Sequence, residues 1–218
     1  MPRTSGGTSC LGASSVVAPS RGTRPRGTAR GTRHEPRGTN EMRVIAGTLK
    51  GRRLQSPKWS GLRPTSDKLR ETLFNILGAS VTDARVLDGY AGTGAVGIEA
   101  LSRGAREVVF VERDQRAAAL VEENLERCGV SEGYVIIRAE FTRETVPGGF
   151  DLIVLDPPYD EEPSAALEAA GALAAPTGLV VLEHARRQSP PERAGPLERR
   201  RTVVSGDSAL SFYGRRST

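Results

Sequence analysis

Residues 85–97 read RVLDGYAGTGAVG, a short apolar strand that turns into a helix through a glycine-rich loop. The strand at 85–88 ends on Asp88. Glycines at positions 92 and 94 allow the backbone to approach a ligand where a side chain would collide with it. The helix that follows offers unpaired N–H groups and the positive end of its dipole. The stretch therefore predicts a strand–loop–helix unit with a ligand at its turn.

The segments after this loop continue the alternation of strands and helices. Strands are expected at 108–111, 134–138, 150–155 and 179–182, and helices at 96–103, 114–127 and 163–175. Strands that alternate with helices of this length favour parallel βαβ units with right-handed crossovers. At the end, residues 201–204 and 209–213 flank Gly206-Asp207, as in an antiparallel hairpin. The sequence therefore predicts an α/β fold with a mostly parallel, doubly wound sheet and a C-terminal antiparallel hairpin.

Residues 42–80 predict a small N-terminal β/helix extension ahead of this fold. Short strands are expected at 43–46 and around Leu54. A helix follows, which Ser66 caps and Gly78 ends. The extension is thus expected to precede a catalytic domain that spans the rest of the chain.

The composition excludes several classes of protein. Only 37% of the 218 residues are hydrophobic, and no apolar run approaches ~20 residues, so we expect no membrane span. The chain has two cysteines and two histidines, too few for a disulfide framework or a metal centre. What remains is a protein of a reducing compartment, long enough to bury a core.

The net charge of +5 comes from the first 41 residues. That segment holds seven arginines and two glutamates, and the remainder of the chain is neutral. Within the remainder, basic stretches at 42–70 and 186–218 flank an acidic middle at 71–185. The two flanks are compatible with a solvated surface or with a phosphate-binding rim around the active face.

Residues 1–41 predict a disordered tail. They repeat Arg-Gly-Thr four times and hold almost no large apolar side chains, so they cannot offset the entropy lost on folding. Three interpretations stay open: an RNA-binding arm, an organelle transit peptide, or a mis-assigned start upstream of a true start at Met42. The last is favoured because patterned sequence begins abruptly at that methionine.

The acids around the glycine loop indicate its ligand. Gly92 to Gly97 satisfies G-x-G-x-x-G and Glu112 ends the next strand, which would suit a dinucleotide. Asp88 favours S-adenosylmethionine (SAM), because a carboxylate here can hold the ammonium of SAM but would repel a pyrophosphate. Glu112 would then accept hydrogen bonds from the ribose hydroxyls. A tight turn without a ligand is the remaining alternative.

The tetrapeptide Asp156-Pro157-Pro158-Tyr159 follows the expected strand at 150–155. Ligands of open α/β sheets bind at the carboxyl ends of the strands, so the tetrapeptide should face the same site. The carboxylate of Asp156 and the carbonyl of Pro157 can each accept an N–H of an exocyclic amine. Tyr159 offers a ring on which an unpaired base can stack. Together, the two motifs predict methylation of an amine on a base.

With these motifs, residues 42–218 resemble the bacterial 16S rRNA (guanine(966)-N(2))-methyltransferase family. The Arg63-Pro64-Thr65 element is the most specific feature, because many methyltransferases share the glycine loop and the DPPY tetrapeptide. The resemblance is carried by Met42-Arg43-Val44-Ile45-Ala46-Gly47, Arg63-Pro64-Thr65-Ser66-Asp67, Arg70-Glu71, Phe74-Asn75-Ile76-Leu77, Asp88 to Gly94, Glu99-Ala100-Leu101-Ser102-Arg103-Gly104-Ala105, Asp156 to Tyr159, and Gly206-Asp207-Ser208-Ala209-Leu210.

The resemblance implies a Rossmann-like class I methyltransferase with SAM as methyl donor and no metal. It implies cofactor-binding roles for Asp88, Gly89, Tyr90, Gly92, Gly94, Glu112, Glu140 and Phe141. It implies catalytic roles for Asp156, Pro157, Pro158 and Tyr159, and places Arg63, Thr65 and Arg70 near the target pocket or the RNA backbone.

The resulting hypothesis is a monomeric, cytoplasmic enzyme that methylates the N2 amine of a guanine in 16S rRNA. Its substrate would be RNA within a small-subunit assembly particle, with no membrane involved. A DNA adenine methyltransferase is the first alternative, because DPPY also serves that amine. A noncatalytic RNA-binding assembly factor with a SAM fold and a small-molecule N-methyltransferase are the others.

Overall fold

The computed structural model describes residues 16–17, 42–57, 59, 65–142, 146–158 and 161–216. The described strands are β1 (Val16–Val17), β2 (Arg85–Asp88), β3 (Glu107–Val111), β4 (Tyr134–Ile137), β5 (Phe150–Leu155), β6 (Ala174–Ala185), β7 (Arg193–Ala194), β8 (Leu197–Ser205) and β9 (Ser208–Arg215). The α-helices are α1 (Asp67–Leu77), α2 (Ala95–Ser102), α3 (Gln115–Cys128) and α4 (Pro163–Leu173), and a 3-10 turn at Gly78–Val81 extends α1.

The strands form one sheet in the order β1-β4-β3-β2-β5-β6-β9-β8-β7. Its middle, from β4 to β6, is parallel. The chain then doubles back, so that β9 pairs antiparallel with both β6 and β8. This arrangement confirms the predicted α/β class and the terminal hairpin; the described sheet is mixed, with four parallel and four antiparallel strand pairings. It also places the carboxyl ends of β2, β3 and β5 side by side at one edge.

Helices cover both faces of the sheet, each over its own apolar core. On one face, residues such as Leu73 of α1, Ile98 of α2 and Val121 of α3 pack together. On the other, Leu167 and Ala170 of α4 pack in a second core. Along β2, Val86 packs in the first core and Leu87 in the second. This alternation is the burial pattern of a strand that is covered on both sides.

Local signals determine most of the helix ends. The Ser66 hydroxyl accepts a hydrogen bond from the N–H of Leu69, and α1 ends at Gly78, whose φ is 53°. The Asp114 carboxylate caps α3 through the N–H groups of Arg116 and Ala117. These ends confirm the predicted caps to within a residue.

The structure differs from expectation at β6, at α4 and in the N-terminal extension. Strand β6 runs over twelve residues rather than 179–182, and α4 accordingly ends at Leu173. The strands expected at 43–46 and around Leu54 reduce to one antiparallel bridge, Arg43 with Arg53. The reason is that the N–H groups of Ile45 and Ala46 donate to the Glu99 carboxylate of α2, so that, among the described residues, only Val44 of this stretch donates to the facing backbone, at the carbonyl of Arg52.

Within residues 1–41, the structure describes only β1, which pairs antiparallel with β4. The predicted disorder of the remaining tail residues falls outside the described part of the chain. None of the described helices combines the length and the apolar character needed to cross a bilayer.

Candidate active site

A cavity of about 470 Å³ opens where the carboxyl ends of β2, β3 and β5 meet. Each of these strands delivers an acid to it: Asp88 ends β2, Glu112 follows β3 and Asp156 follows β5. Three acids that are far apart in the sequence are thus brought to one site, as expected for ligand binding in an open α/β sheet.

Asp88 lies at the floor of the cavity and is only 4% exposed. One of its carboxylate oxygens accepts a hydrogen bond of 3.1 Å from the N–H of Gly97, in the first turn of α2. The pKa of Asp88 is raised to about 7, chiefly by burial; the Gly97 hydrogen bond lowers it, and the nearby charges of Asp156 and Glu112 raise it. A buried carboxylate in this position is suited to a cationic ligand group, which would stabilise its charge.

Glu112 ties the glycine loop to the end of β3. Its carboxylate accepts hydrogen bonds from the N–H of Gly92 and the N–H of Asp114, each at 2.8 Å. Gly94, which precedes α2, is outside the cavity lining; its φ is 76°, and a Cβ there would approach Val121 to 3.0 Å. The left-handed backbone and this close approach favour glycine at position 94, and the predicted contact of Gly94 with the cofactor stays a prediction.

Two aromatic rings line another part of the cavity. The rings of Tyr90 and Phe141 lie 5.8 Å apart at an angle of 54°, and Glu140 lines the cavity beside them. Burial raises the pKa of Tyr90 to about 12, so its hydroxyl stays neutral. A Cβ atom at position 89 would lie 2.8 Å from the side chain of Leu155, so glycine is the residue that fits there without a shift of that side chain.

These residues fit SAM. The cavity volume lies in the range of small-ligand sites. The buried Asp88 can hold an ammonium, Glu112 lies at a strand end where a ribose can bind, and the two rings offer apolar surface for an adenine. All of the residues predicted to bind the cofactor except Gly94 line this cavity, and their individual roles stay predictions.

The described residues of the DPPY tetrapeptide contribute to the same cavity. Asp156, Pro157 and Pro158 all line it, and the Thr65 hydroxyl donates a 3.1 Å hydrogen bond to the Asp156 carboxylate. Tyr159, predicted to stack on a base, lies outside the described residues. The structure therefore joins the expected amine acceptors to the cofactor half in one cavity.

The structure corrects the expectation that Arg70 contacts the target or the RNA. The Arg70 side chain is fully buried. Its guanidinium donates to the carbonyl of Arg43, at 2.8 Å, and to the Asp67 carboxylate, at 2.6 Å. It also lies 4.0 Å from the carboxylate of Glu99. A cation buried among these partners cannot reach a nucleic acid; it holds α1 on α2. Arg63 lies outside the described residues.

Several lining residues escaped the sequence reasoning. Glu183 of β6, Ser208 of β9 and Trp59 of the N-terminal extension also line the cavity. Ser208 belongs to the Gly206-to-Leu210 stretch that helped to carry the resemblance, so a signal for it was present. Trp59 had none, because its position depends on how the extension folds back over the sheet.

Cofactor affinity should depend on pH through Asp88. With a pKa of about 7, this carboxylate is mostly protonated at pH 6 and mostly ionised at pH 8. Only the ionised form attracts the ammonium of S-adenosylhomocysteine (SAH), so affinity should rise about tenfold between these pH values. Calorimetric titration of SAH measures the change, with Asp88→Asn as a variant whose weak binding should no longer vary with pH. An equally tight wild-type complex at both pH values would contradict the role of Asp88.

Trp59 should report on cofactor binding. It is the only tryptophan in the chain, it lines the cavity, and the Arg116 guanidinium lies 5.1 Å from its ring centroid. A ligand in the cavity changes the surroundings of this ring, so SAH should change the tryptophan fluorescence with a midpoint at the calorimetric Kd. The Trp59→Phe variant is the blank. Unchanged emission at saturating SAH would place the ligand away from Trp59.

Comparisons with known proteins identify the family of the chain. A family model described as "Conserved hypothetical protein 95" matches residues 42–214. The Bacillus subtilis protein YlbH is 37% identical over 186 residues, which cover 80% of this chain and 100% of that protein. Ribosomal RNA small subunit methyltransferase D of Escherichia coli K12 is 33% identical over 183 residues, which cover 82% of this chain and 92% of that protein.

The solved structure of the Escherichia coli methyltransferase yhhF superposes on the chain with a TM-score of 0.71. The match has 28% sequence identity and covers 82% of this chain and 99% of that one. The fold is therefore that of a class I methyltransferase, as the sequence predicts. Since the family match spans the whole folded region, the chain belongs to the Conserved hypothetical protein 95 family of SAM-dependent methyltransferases.

Proposed function

We propose that this chain transfers a methyl group from SAM to the exocyclic N2 amine of a guanine in 16S rRNA. We further propose that it acts in the cytoplasm, as a monomer, on a small-subunit assembly particle. The named relative from Escherichia coli is a ribosomal RNA small subunit methyltransferase, which supports RNA of the small subunit as the substrate class.

The observation that carries the proposal is the placement of Asp156. Its carboxylate lines the same cavity as Asp88 and Glu112, so an amine held by Asp156 lies beside the cofactor half of the site. Pro157 follows directly, and its carbonyl, released from the strand ladder, is a second acceptor for an amine N–H. Two acceptors suit a primary exocyclic amine, which has two N–H groups to donate.

Methyl transfer to an amine requires few other groups from the protein. When bound, SAM supplies a methyl group on a sulfonium sulfur, whose S–C bond breaks as the new N–C bond forms. The carboxylate of Asp156 and the Pro157 carbonyl orient the amine and reduce the delocalisation of its lone pair into the base. The methylated amine is cationic at first and loses a proton readily to water, so no strong general base is needed. Positioning and electrostatics therefore supply most of the rate enhancement.

The test compares three substrates under identical conditions. Labelled SAM is incubated with the protein and with undermodified small-subunit particles, naked 16S rRNA or duplex DNA, and the product is mapped by nuclease digestion and mass spectrometry. We expect N2-methylguanine in the RNA, with more label in particles than in naked RNA. Label on adenine, or on DNA alone, would instead support the DNA adenine alternative. Tight SAM binding without any transfer would support a noncatalytic assembly factor.

A further inference from the structure

The N-terminal extension reaches the active site through Thr65. Its hydroxyl donates to the Oδ2 atom of Asp156 at 3.1 Å, across 91 residues of sequence. Both residues line the cavity, and Thr65 is half-buried there. A side chain that the family resemblance places near the target pocket or the RNA backbone is thus bonded to the carboxylate that the mechanism uses.

The position of Thr65 is determined by the start of α1. Thr65 directly precedes Ser66, whose hydroxyl accepts from the N–H of Leu69 and thereby defines the first turn. In that turn Asp67 is paired with the buried Arg70 at 2.6 Å. The Arg70 guanidinium in turn donates to the carbonyl of Ala95, the first residue of α2. The Thr65 hydroxyl is therefore held in place relative to the helix that follows the glycine loop.

The carboxylate of Asp156 needs such a partner, because its backbone does not orient it. Pro157 restricts the backbone of Asp156 to extended conformations. The terminal torsion of an aspartate side chain nevertheless remains broad, so the carboxylate plane can rotate. A hydroxyl that donates to an ionised carboxylate makes a charge-assisted hydrogen bond, about twice as strong as a neutral one. Pro157 thus restricts the main-chain torsions of Asp156, and the hydrogen bond from Thr65 restricts the rotation of its carboxylate.

The negative charges in the cavity are a second reason why Asp156 benefits from the hydrogen bond of Thr65. Asp156 and Asp88 are close enough that the charge on Asp156 raises the pKa of Asp88. A carboxylate that faces another carboxylate is destabilised as an anion. Donation from the Thr65 hydroxyl offsets part of this repulsion and favours one rotamer of Asp156.

We propose that Thr65 is a positioning residue, which orients the Asp156 carboxylate to accept the N–H of the target amine. The inference rests on the proposed function of Asp156 and assigns Thr65 to the methyl-transfer step rather than to RNA affinity. It predicts that losing the Thr65 hydroxyl slows transfer and leaves the binding of both substrates unchanged.

The decisive variant is Thr65→Val, which removes the hydroxyl and keeps the shape of the side chain. The single-turnover rate should fall about 10- to 100-fold, the usual consequence of a misoriented reacting group. The Kd for SAH, the Kd for the nucleic-acid substrate and the Tm should stay within twofold and two degrees of the wild-type values, as order-of-magnitude limits on an unperturbed site. Thr65→Ser, which restores the hydroxyl, should recover most of the rate.

Thr72→Val is the matched control. Thr72 lies on the same helix, and its hydroxyl donates to the carbonyl of Lys68, away from the cavity. All rates are measured on the nucleic acid that the wild-type protein methylates. Methylation of a base other than guanine would therefore contradict the proposed function, while the comparison of the Thr65 variants would still test the positioning role. A Thr65→Val protein with a wild-type rate, or one that loses only nucleic-acid affinity, would overturn the positioning role. A Thr65→Ser protein as slow as Thr65→Val would do the same.

Discussion

Replacing Asp156 with alanine should lower the single-turnover rate of methyl transfer by about a hundredfold to a thousandfold, the usual cost of removing a preorganised hydrogen-bonding group at a reacting centre. The expected cause is loss of the acceptor that holds the amine beside the cofactor half of the cavity. SAH affinity, measured at pH 8 where Asp88 is mostly ionised, should change little, because the cofactor half is built from Asp88, Glu112 and the Tyr90–Phe141 pair. Rapid-quench transfer assays and SAH calorimetry on the same preparations measure the two quantities.

Asp151→Ala is the control for this variant. Asp151 lies near the start of β5, at the opposite end from the DPPY tetrapeptide that follows the strand, and accepts from the N–H of Arg85. Its removal should leave the transfer rate near that of the wild type. If Asp156→Ala weakened SAH binding as strongly as it slowed transfer, Asp156 would be a cofactor ligand and the assigned role would be wrong.

Replacing Arg70 with methionine should destabilise the fold rather than weaken RNA binding. The change leaves the buried carboxylate of Glu99 without one of its cationic neighbours. Breaking a buried ion pair usually costs about 3–5 kcal/mol in the free energy of unfolding. The lower end applies here, because Arg103 and the N–H groups of Ile45 and Ala46 still hold Glu99. For a chain of this size the Tm should fall by roughly 10 °C.

Thermal and urea unfolding measure the loss, and Lys68→Met on the exposed side of the same helix is the control. Lys68 is exposed, so its replacement should leave the Tm near that of the wild type. RNA affinity, measured well below the transition, should be the same for Arg70→Met and the wild type. An unchanged Tm together with weaker RNA binding would restore the original expectation that Arg70 contacts RNA.

The sequence predicts a site residue well where that residue lies at the end of a strand. Asp88, Glu112 and Asp156 each end or follow a strand, and a parallel sheet brings such ends together. The caps at Ser66 and Asp114 were equally readable, because a cap acts within three residues. Fold class and most of the site could therefore be predicted locally.

The sequence was least informative for residues whose partners lie in another layer. Arg70 carries a charge on an amphipathic helix, and charge alone favours an exposed position. Its burial depends on Glu99 of α2 and on a carbonyl of the extension. Strand β6 was underestimated for a similar reason: its long antiparallel pairing with β9 extends to Ala185, beyond the apolar run that made it visible.

The carboxylate of Glu99 has one further consequence. It receives the N–H groups of Ile45 and Ala46 from the extension and the guanidinium of Arg103 from its own helix. A fragment that began at residue 81 would lose the Ile45 and Ala46 donors and would uncover the apolar core against which Leu73 and Phe74 of α1 pack, at a cost that a marginally stable protein cannot absorb. The extension and the sheet therefore belong to a single cooperative folding unit, and neither can be excised to study the other in isolation.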